Sequence, residues 1–221
     1  MARRALWRSG AAKDAAPRLA HLDQDRPLVQ AAQRDPARFD ALYRRYLARV
    51  YSYAYYELGD HHAAEDATEA TFVSALTNLQ RFEERARPAD GEGASTFRVW
   101  LFQICRNEVA GERRRARRRP TEPLTGETIV ADPLNVEDDA VRRDQARQAW
   151  RAVGRLPGER RQAMVLRFVD ELSTAEIAGV LGKSEGTVRV LIHRALKSVA
   201  KDLGADRSGA ESKRGTTERR T

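Results

Sequence analysis

Residues 172–197, LSTAEIAGVLGKSEGTVRVLIHRALK, constrain the fold of this chain more than any other stretch. Ser173 and Glu176 have the S-x-x-E spacing of a capping box, in which each side chain satisfies a free backbone amide at a helix start. Gly182 can end that helix, because glycine adopts a left-handed backbone without Cβ strain. Ser184 can then cap a second helix. Two short helices joined by a sharp turn predict a helix-turn-helix.

The second of these helices has two different faces. Apolar residues recur at spacings of three and four and predict the buried face: Val188, Leu191, Ile192, Ala195 and Leu196. The opposite face carries polar and cationic side chains: Ser184, Glu185, Thr187, Arg189, His193, Arg194 and Lys197. Such a face fits a DNA major groove, with short polar groups for base edges and cations for phosphates. The alternative is a helical hairpin in an ordinary all-α core, whose charged side is only solvated.

The charge balance favours a polyanionic partner. The 221 residues include 40 Lys and Arg against 32 Asp and Glu, a net charge of +8. This excess is compatible with nucleic acid or with an acidic membrane surface and does not choose between them. Cys105, the single cysteine, excludes an internal disulfide and is expected to be a small buried hydrophobe. We expect no metal and no cofactor.

The sequence also predicts where the protein acts. No apolar run approaches the ~20 residues that span a bilayer. The N-terminus begins with cations but has no apolar region of the kind found in secretory signals. We therefore expect a cytoplasmic protein with no stable membrane insertion.

Helix-forming residues dominate, and no stretch alternates apolar and polar residues for long enough to predict a sheet. We predict an all-α fold of two small helical domains joined by a flexible acidic linker, with a helix-turn-helix as the C-terminal domain. The predicted boundaries are a flexible basic arm at 1–24, a helical domain at 25–119, the linker at 120–139, the helix-turn-helix domain at 140–203 and a disordered tail at 204–221.

Two long helices are predicted early in the N-terminal domain. The first begins at Asp35 and Pro36, ends near Leu58 and carries all six tyrosines, more typical of core and rim than of a binding platform. The second begins near His61 and exposes three acidic residues within about one turn: Glu65, Asp66 and Glu69. Acidic residues early in a helix oppose its dipole favourably. They could equally dock onto a basic protein surface, and the residues alone do not decide.

The third helix of this domain combines aromatic and basic residues. Ser95 or Thr96 can cap it, Phe97 and Trp100 begin its apolar stripe, and six arginines crowd residues 113–119. So dense a cationic run is favourable beside phosphates, and upstream aromatics can stack on unpaired bases. A purely solubilising role is the alternative. The linker carries six acidic residues and no cation, which suits a solvated spacer or a thread in a channel built for nucleic acid.

In this order, the segments resemble bacterial RNA polymerase sigma factors of the extracytoplasmic-function (ECF) group of the sigma-70 family, over about residues 26–203. DPARFDALYRRYLARVYSYA resembles the family's first long helix, and AEDATEATFVSAL its helix for binding core polymerase. FRVWLFQICRNEVAGERRR resembles its promoter-melting helix. LPGERRQAMVLRFVDELSTAEIAGVLGKSEGTVRVLIHRA is similar to its C-terminal domain.

The resemblance implies a non-enzymatic factor that binds core RNA polymerase, recognises promoter DNA at the −10 and −35 elements and helps to melt it. It implies that residues 25–119 are sigma region 2 and residues 140–203 sigma region 4. An anti-sigma factor is a usual further partner in the family.

The resemblance also assigns site residues. Asp66 and Glu69, with Glu65 beside them, would bind the polymerase. The loop at 83–95 would capture a flipped-out base. The −10 element would meet Phe97, Arg98, Trp100, Arg106 and Asn107, with Arg113 and Arg114 of the basic run beside them. The −35 element would be read by Glu185, Thr187, Arg189, His193 and Arg194, with Ser184 and Lys197 on the same face.

Two other functions are compatible with parts of the sequence. The chain could be a stand-alone transcription regulator that uses the helix-turn-helix, with residues 26–119 as a sensor or dimerisation module. It could also be a nucleic-acid enzyme, but His61 and His62 have no partners at metal-ligand spacing and no catalytic cluster is evident.

Overall fold

The computed structural model describes residues 22–87, 90–91, 93–118 and 140–217, so the predicted linker and most of the predicted arm lie outside the described residues. Within these ranges the chain forms helices, without β-strands: α1 (Arg26–Arg34), α2 (Phe39–Leu58), α3 (His61–Asn78), α4 (Phe97–Arg118), α5 (Ala140–Gly154), α6 (Gly158–Phe168), α7 (Thr174–Leu181) and α8 (Glu185–Thr217). Two single 3₁₀ turns, Pro36–Arg38 and Leu79–Arg81, flank the α2–α3 pair. The all-α prediction is confirmed.

The N-terminal domain is built on α2, α3 and α4, which pack side by side. Leu42, Tyr46, Val50 and Tyr53 of α2 are fully buried, at the spacing of one face of a helix. Most of the tyrosines of α2 therefore belong to the core and its rim. Gly59 ends α2 at a φ of +73°, a left-handed conformation that costs a residue without Cβ little.

The C-terminal domain contains the predicted helix-turn-helix. Ser173 and Glu176 form the capping box at the start of α7, with both reciprocal hydrogen bonds present. Gly182 ends α7 at a φ of +66°. The amide of Thr187 donates to Ser184 Oγ at 3.2 Å, which caps α8 as predicted. Val188 is fully buried and locks α8 against the preceding helices.

Two predicted boundaries are wrong. The arm was expected to extend to residue 24, but Leu22 is buried and Asp23 is half-buried against the folded domain. Polar contacts hold this segment, so an apolar pattern could not reveal it. The tail was expected to begin at residue 204, but α8 continues to Thr217. That stretch has isolated glycines and no proline, and a single glycine lowers helix stability by only ~1 kcal/mol.

The two domains share one hydrophobic core, which was not predicted. Helix α4 packs against α7, and α2 packs against α6. Leu166, Leu172 and Ile177 are fully buried in the same cluster as the core of α2, α3 and α4. At the edge of this contact the rings of Tyr56 and Trp150 lie 4.7 Å apart. The domains are therefore joined by packing as well as by the linker.

Asp170 lies in this shared core, between α6 and α7. It is 1% exposed, and within the described part of the chain neither carboxylate oxygen has a hydrogen-bond partner. Burial raises the pKa of Asp170 well above its ordinary value, and the attraction of Arg49 and Arg98 does not offset this. The raised pKa makes Asp170 stabilising when protonated, and this stability is lost as the pH rises through the folded-state pKa.

We expect Asp170→Asn to stabilise the chain at about pH 8, because an amide of the same shape cannot ionise. The free energy of unfolding of the variant should exceed that of the unaltered chain by about 1 kcal/mol, the usual scale of a single-residue effect. The difference in free energy of unfolding between the variant and the unaltered chain should shrink as the pH falls toward the unfolded-state pKa. Denaturant unfolding over a pH series measures this, with the exposed Asp40→Asn as control. Lower stability of Asp170→Asn at about pH 8 would contradict the account.

Candidate nucleic-acid interface

The outer face of α8 is open along its whole predicted length. Ser184, Thr187, Arg189, His193, Arg194 and Lys197 are exposed, and Glu185 is partly exposed. Arg189 Nη2 lies 2.9 Å from Glu185 Oε2, so this guanidinium is held against the helix in the free chain. The structure thus presents all the predicted −35 residues on one accessible face.

The predicted DNA-binding residues of α4, unlike those of α8, differ widely in their exposure. Asn107 and Arg114 are exposed, and Trp100 is half-buried. The ring of Trp100 lies 5.1 Å from Phe82 and 5.6 Å from Phe97. Phe97 itself is fully buried. It therefore supports Trp100 from the core and offers no face to a nucleic acid in this conformation.

Arg98 of α4 is buried between the two domains. Its Nε donates to Glu176 Oε1 of α7 at 2.8 Å, and its Nη1 lies 3.3 Å from Asp23 Oδ2. Burial would lower the pKa of Arg98, but the attraction and hydrogen bond of Glu176, together with Asp23 and Tyr46, outweigh it. The pKa therefore lies above its usual value and the guanidinium stays charged. Glu176 also accepts from Ser173 in the capping box. One carboxylate thus caps α7 and holds α4.

Two more predicted DNA-binding residues of α4, Arg106 and Arg113, are bonded to side chains of other helices. Arg106 Nε donates to Gln162 of α6 at 3.3 Å. Arg113 Nη2 donates to Glu57 Oε2 of α2 at 2.5 Å, and Glu57 Oε1 in turn lies 3.4 Å from Arg161 of α6. The C-terminal domain therefore engages Arg98 and Arg106, two of the α4 residues that the resemblance assigns to the −10 element. Arg113 is held instead by α2 of the N-terminal domain.

The loop before α4 is organised by Glu84. Its Oε1 accepts from the Thr96 amide at 2.7 Å, from the Thr96 hydroxyl at 2.8 Å and from the Ala86 amide at 3.0 Å. Burial would raise the pKa of Glu84, but hydrogen bonds from Ser95, Ala86 and Thr96 together hold it below its usual value. The carboxylate thus ties the two ends of the loop together.

An N-terminal strap, residues 22–26, fastens this loop from the other side. Arg26 donates from Nε to the Ala94 carbonyl at 3.0 Å and from Nη2 to the Ala86 carbonyl at 2.9 Å. The Ser95 amide donates to the Asp23 carbonyl at 3.0 Å. The strap thereby positions the loop assigned to base capture. Sequence reasoning missed it, because no motif marks it.

We expect Arg26→Ala to loosen this loop while leaving the fold intact. Amide hydrogen exchange at Ala94 and Ser95 should accelerate by about tenfold, because the two arginine contacts that bridge the loop are lost. Arg34→Ala, at the exposed far end of the same helix, is the control. Unchanged exchange in Arg26→Ala would show that the strap does not hold the loop.

The acidic patch of α3 is exposed, as predicted: Glu65, Asp66 and Glu69 all face solvent. Below them, at spacings of three and four along the same face, Val73 is 58% exposed and Leu76 43% exposed. Acidic and apolar residues thus form one continuous α3 stripe: Asp66, Glu69, Val73 and Leu76. Sequence reasoning missed the apolar half, although two large hydrophobics off the predicted core face were a signal for it.

The described residues offer no other kind of site. Among them, no three His, Cys, Asp or Glu side chains are grouped so that they could hold a metal ion. None of the described helices is long and apolar enough to cross a bilayer. Cys105 is buried, and burial raises the pKa of its thiol, which makes it a poor nucleophile.

Comparison with known proteins agrees with this arrangement. Residues 42–119 match the family model Sigma-70 region 2, and residues 146–199 match Sigma-70, region 4. The chain is 36% identical over 182 residues to the ECF RNA polymerase sigma factor BldN of Streptomyces coelicolor, which covers 81% of this chain and 66% of BldN. It is 30% identical over 185 residues to the ECF RNA polymerase sigma factor SigW of Bacillus subtilis, which covers 80% of this chain and 94% of SigW.

The fold has a solved counterpart as well. The structure of CnrH in complex with the cytosolic domain of CnrY superposes with a TM-score of 0.58 at 26% identity, over 83% of this chain and 99% of CnrH. The regions matched by the two family models are the N-terminal helical domain and the helix-turn-helix domain described above. The chain belongs to the ECF group of bacterial RNA polymerase sigma factors, which direct the polymerase to promoters.

Proposed function

We propose that this sigma factor divides promoter recognition among three surfaces: the open face of α8, the basic and aromatic face of α4, and the α3 stripe. The observation that carries the proposal is the outer face of α8, a capped helix whose seven predicted −35 residues lie accessible along one side. A helix with short polar groups near its start and cations further along can enter a major groove and contact both base edges and phosphates.

The −35 element is read by the first turns of α8. Ser184, Glu185 and Thr187 lie at the helix start, where side chains reach base edges. Arg194 and Lys197 lie further along and neutralise phosphates. Arg189 exchanges its ion pair with Glu185 for DNA, at little cost, because an exposed pair is worth only ~0–1 kcal/mol.

The −10 element is opened by α4 and its loop. Strand separation needs no catalysed reaction, because bases that leave the stack can be held on aromatic faces while cations hold the backbone. Trp100, with Phe82 behind it, supplies such a face. Arg114 and Asn107, both exposed, follow on the same helix. The factor therefore acts without enzymatic activity of its own, in the cytoplasm where its polymerase and DNA are found.

The α3 stripe binds core polymerase. Its acidic end suits a basic surface on the partner, and its apolar end supplies area that is removed from water on binding. A second protein partner is expected for inhibition, since the similar CnrH chain is solved with the cytosolic domain of CnrY.

We expect Arg194→Ala to weaken promoter binding and to leave polymerase binding unchanged. Loss of one phosphate contact should lower the slope of log affinity against log salt by about 1. Titration of polymerase-bound factor onto promoter duplex at several salt concentrations measures this. Lys201→Ala, which removes the same charge from an exposed position of α8 beyond the predicted −35 residues, is the matched control. Equal loss of polymerase binding in Arg194→Ala would remove the −35 assignment.

Substitutions on the α3 stripe should weaken polymerase binding and leave DNA binding unchanged. Glu69→Lys and Val73→Asp should each weaken core polymerase binding by about tenfold or more. Glu69→Lys reverses the charge at the acidic end of the stripe, and Val73→Asp places a charge at its apolar end. Glu69→Gln, which removes the charge without reversing it, should have a smaller effect. Binding of the free chain to duplex DNA should not change. Unaltered polymerase affinity in all three variants would place the interface elsewhere.

A further inference from the structure

The side chain of Gln24 is exposed on the N-terminal strap, while its two neighbours are anchored to α2. The Tyr46 hydroxyl donates to Asp23 Oδ2 at 2.8 Å. Arg45 Nε lies 2.8 Å from Asp25 Oδ1, and Asp25 is fully buried. The strap therefore holds the backbone of Gln24 in place and presents its side chain at the surface.

Two backbone hydrogen bonds place Gln24 beside the loop that precedes α4. The Ser95 amide donates to the Asp23 carbonyl at 3.0 Å. The Arg26 amide donates to the Gly93 carbonyl at 3.1 Å. Since one bond lies before Gln24 in the sequence and the other after it, strap and loop are fixed to each other on both sides of this residue.

The loop accommodates the Gln24 amide because it has glycine at the contact. A Cβ on Gly93 would overlap Oε1 of Gln24. A Cβ on Gly91 would lie 3.7 Å from Nε2 of Gln24, and Gly91 has a φ of +112°, which residues with a Cβ rarely adopt. At these two glycines the loop surface beside the amide is therefore backbone without side chains.

The same end of α4 carries the half-buried Trp100. Asp23 Oδ2 lies 3.3 Å from Arg98 Nη1, so the strap contacts the first turn of α4. Trp100 belongs to this turn, and its ring lies 5.1 Å from Phe82, which comes just before the loop. An exposed amide and a partly exposed indole thus adjoin the loop that the resemblance assigns to base capture.

A glutamine amide is suited to binding an unpaired base. It has an acceptor, Oε1, and a donor, Nε2, side by side. Each base also has a donor beside an acceptor on its pairing edge, so the two can join through a pair of hydrogen bonds. Such a bidentate contact distinguishes the matching base from the others by about tenfold or more.

We propose that Gln24 is a specificity-determining residue for the −10 element: its amide binds the pairing edge of an unpaired base that lies over Gly91 and Gly93. The proposal rests on the proposed role of α4 and its loop at the −10 element. It adds a residue outside that loop, on a strap that precedes residues 42–119, the part matched by the Sigma-70 region 2 model.

The first test measures base preference during transcription. Start sites are mapped with the full chain and core RNA polymerase, and each position of the −10 element of one promoter is then randomised. At one position, Gln24→Ala should lower the preference for the favoured base from about tenfold to about twofold or less. Preferences at the other −10 positions and at the −35 element should not change. Gln30→Ala, which truncates an exposed glutamine of α1, is the matched control.

A second variant displaces the amide without removing it. Gly93→Ala places a methyl group where Oε1 of Gln24 lies, and this oxygen is at the end of a flexible side chain that can move aside. Gly93→Ala should therefore lose the same preference at the same position. The double variant should lose no more than either single variant, because both substitutions remove one contact.

A binding measurement tests the contact without transcription. Holoenzyme is titrated with a single-stranded oligonucleotide of the mapped −10 element, with and without an abasic site at the position identified. The abasic site should cost the unaltered holoenzyme several-fold more affinity than it costs the Gln24→Ala holoenzyme. Equal costs would overturn the proposal.

The outcomes separate this proposal from the function on which it rests. Unchanged base preferences in Gln24→Ala overturn the role of Gln24 and leave the sigma function intact. An equal loss of preference at every −10 position also overturns it, since that result indicates a general disturbance of the loop. If no start site depends on the unaltered chain, the result counts against the sigma function itself.

Discussion

The pairing of Arg98 with Glu176 is the interaction on which the arrangement of this molecule depends. Arg98 is buried and stays charged because Glu176 and Asp23 approach it from two different parts of the chain. Glu176 is at the same time the capping residue of α7. The start of the helix-turn-helix, helix α4 and the N-terminal strap therefore meet at one guanidinium. A substitution at any one of the three therefore alters the contacts of the other two.

The parts of the fold that could be predicted from the sequence are those set by local rules. The capping box at Ser173 and the left-handed Gly182 each involve residues within one turn, so their spacing alone predicted the helix-turn-helix. The buried face of α2 was predictable for the same reason, because a helix repeats every 3.6 residues. The exposed candidate site residues on α3 and α8 could be predicted for the same reason, because they lie on the sides of their helices that face away from the predicted buried faces.

The contact between the domains could not be predicted in this way. Arg98 and Glu176 lie 78 residues apart, and the local role of Glu176 in the capping box gives no sign of a second partner. Gly179 reads in the sequence only as an unfavourable residue in a short helix, and its reason is visible only when Val99 is placed beside it. The strap escaped prediction because carbonyls and charges hold it. Its residues carry no apolar periodicity.

These contacts leave the two helices that are predicted to bind DNA, α4 and α8, in different surroundings in the structure. The outer face of α8 is exposed along its predicted length, and Ser184 caps the start of the helix. On α4, by contrast, Arg98, Arg106 and Arg113 are engaged by Glu176, Gln162 and Glu57. The α3 stripe lies apart from both and stays exposed.

The most direct measurement of the central claim is promoter-directed transcription in vitro. The full chain is added to core RNA polymerase on a pool of upstream fragments from its own genome, and the 5′ ends of the transcripts are mapped. The account predicts discrete start sites that appear only when the chain is present, with two shared elements upstream of them. Start sites that do not depend on the chain, together with tight binding of the chain alone to duplex DNA, would contradict it and indicate a stand-alone regulator.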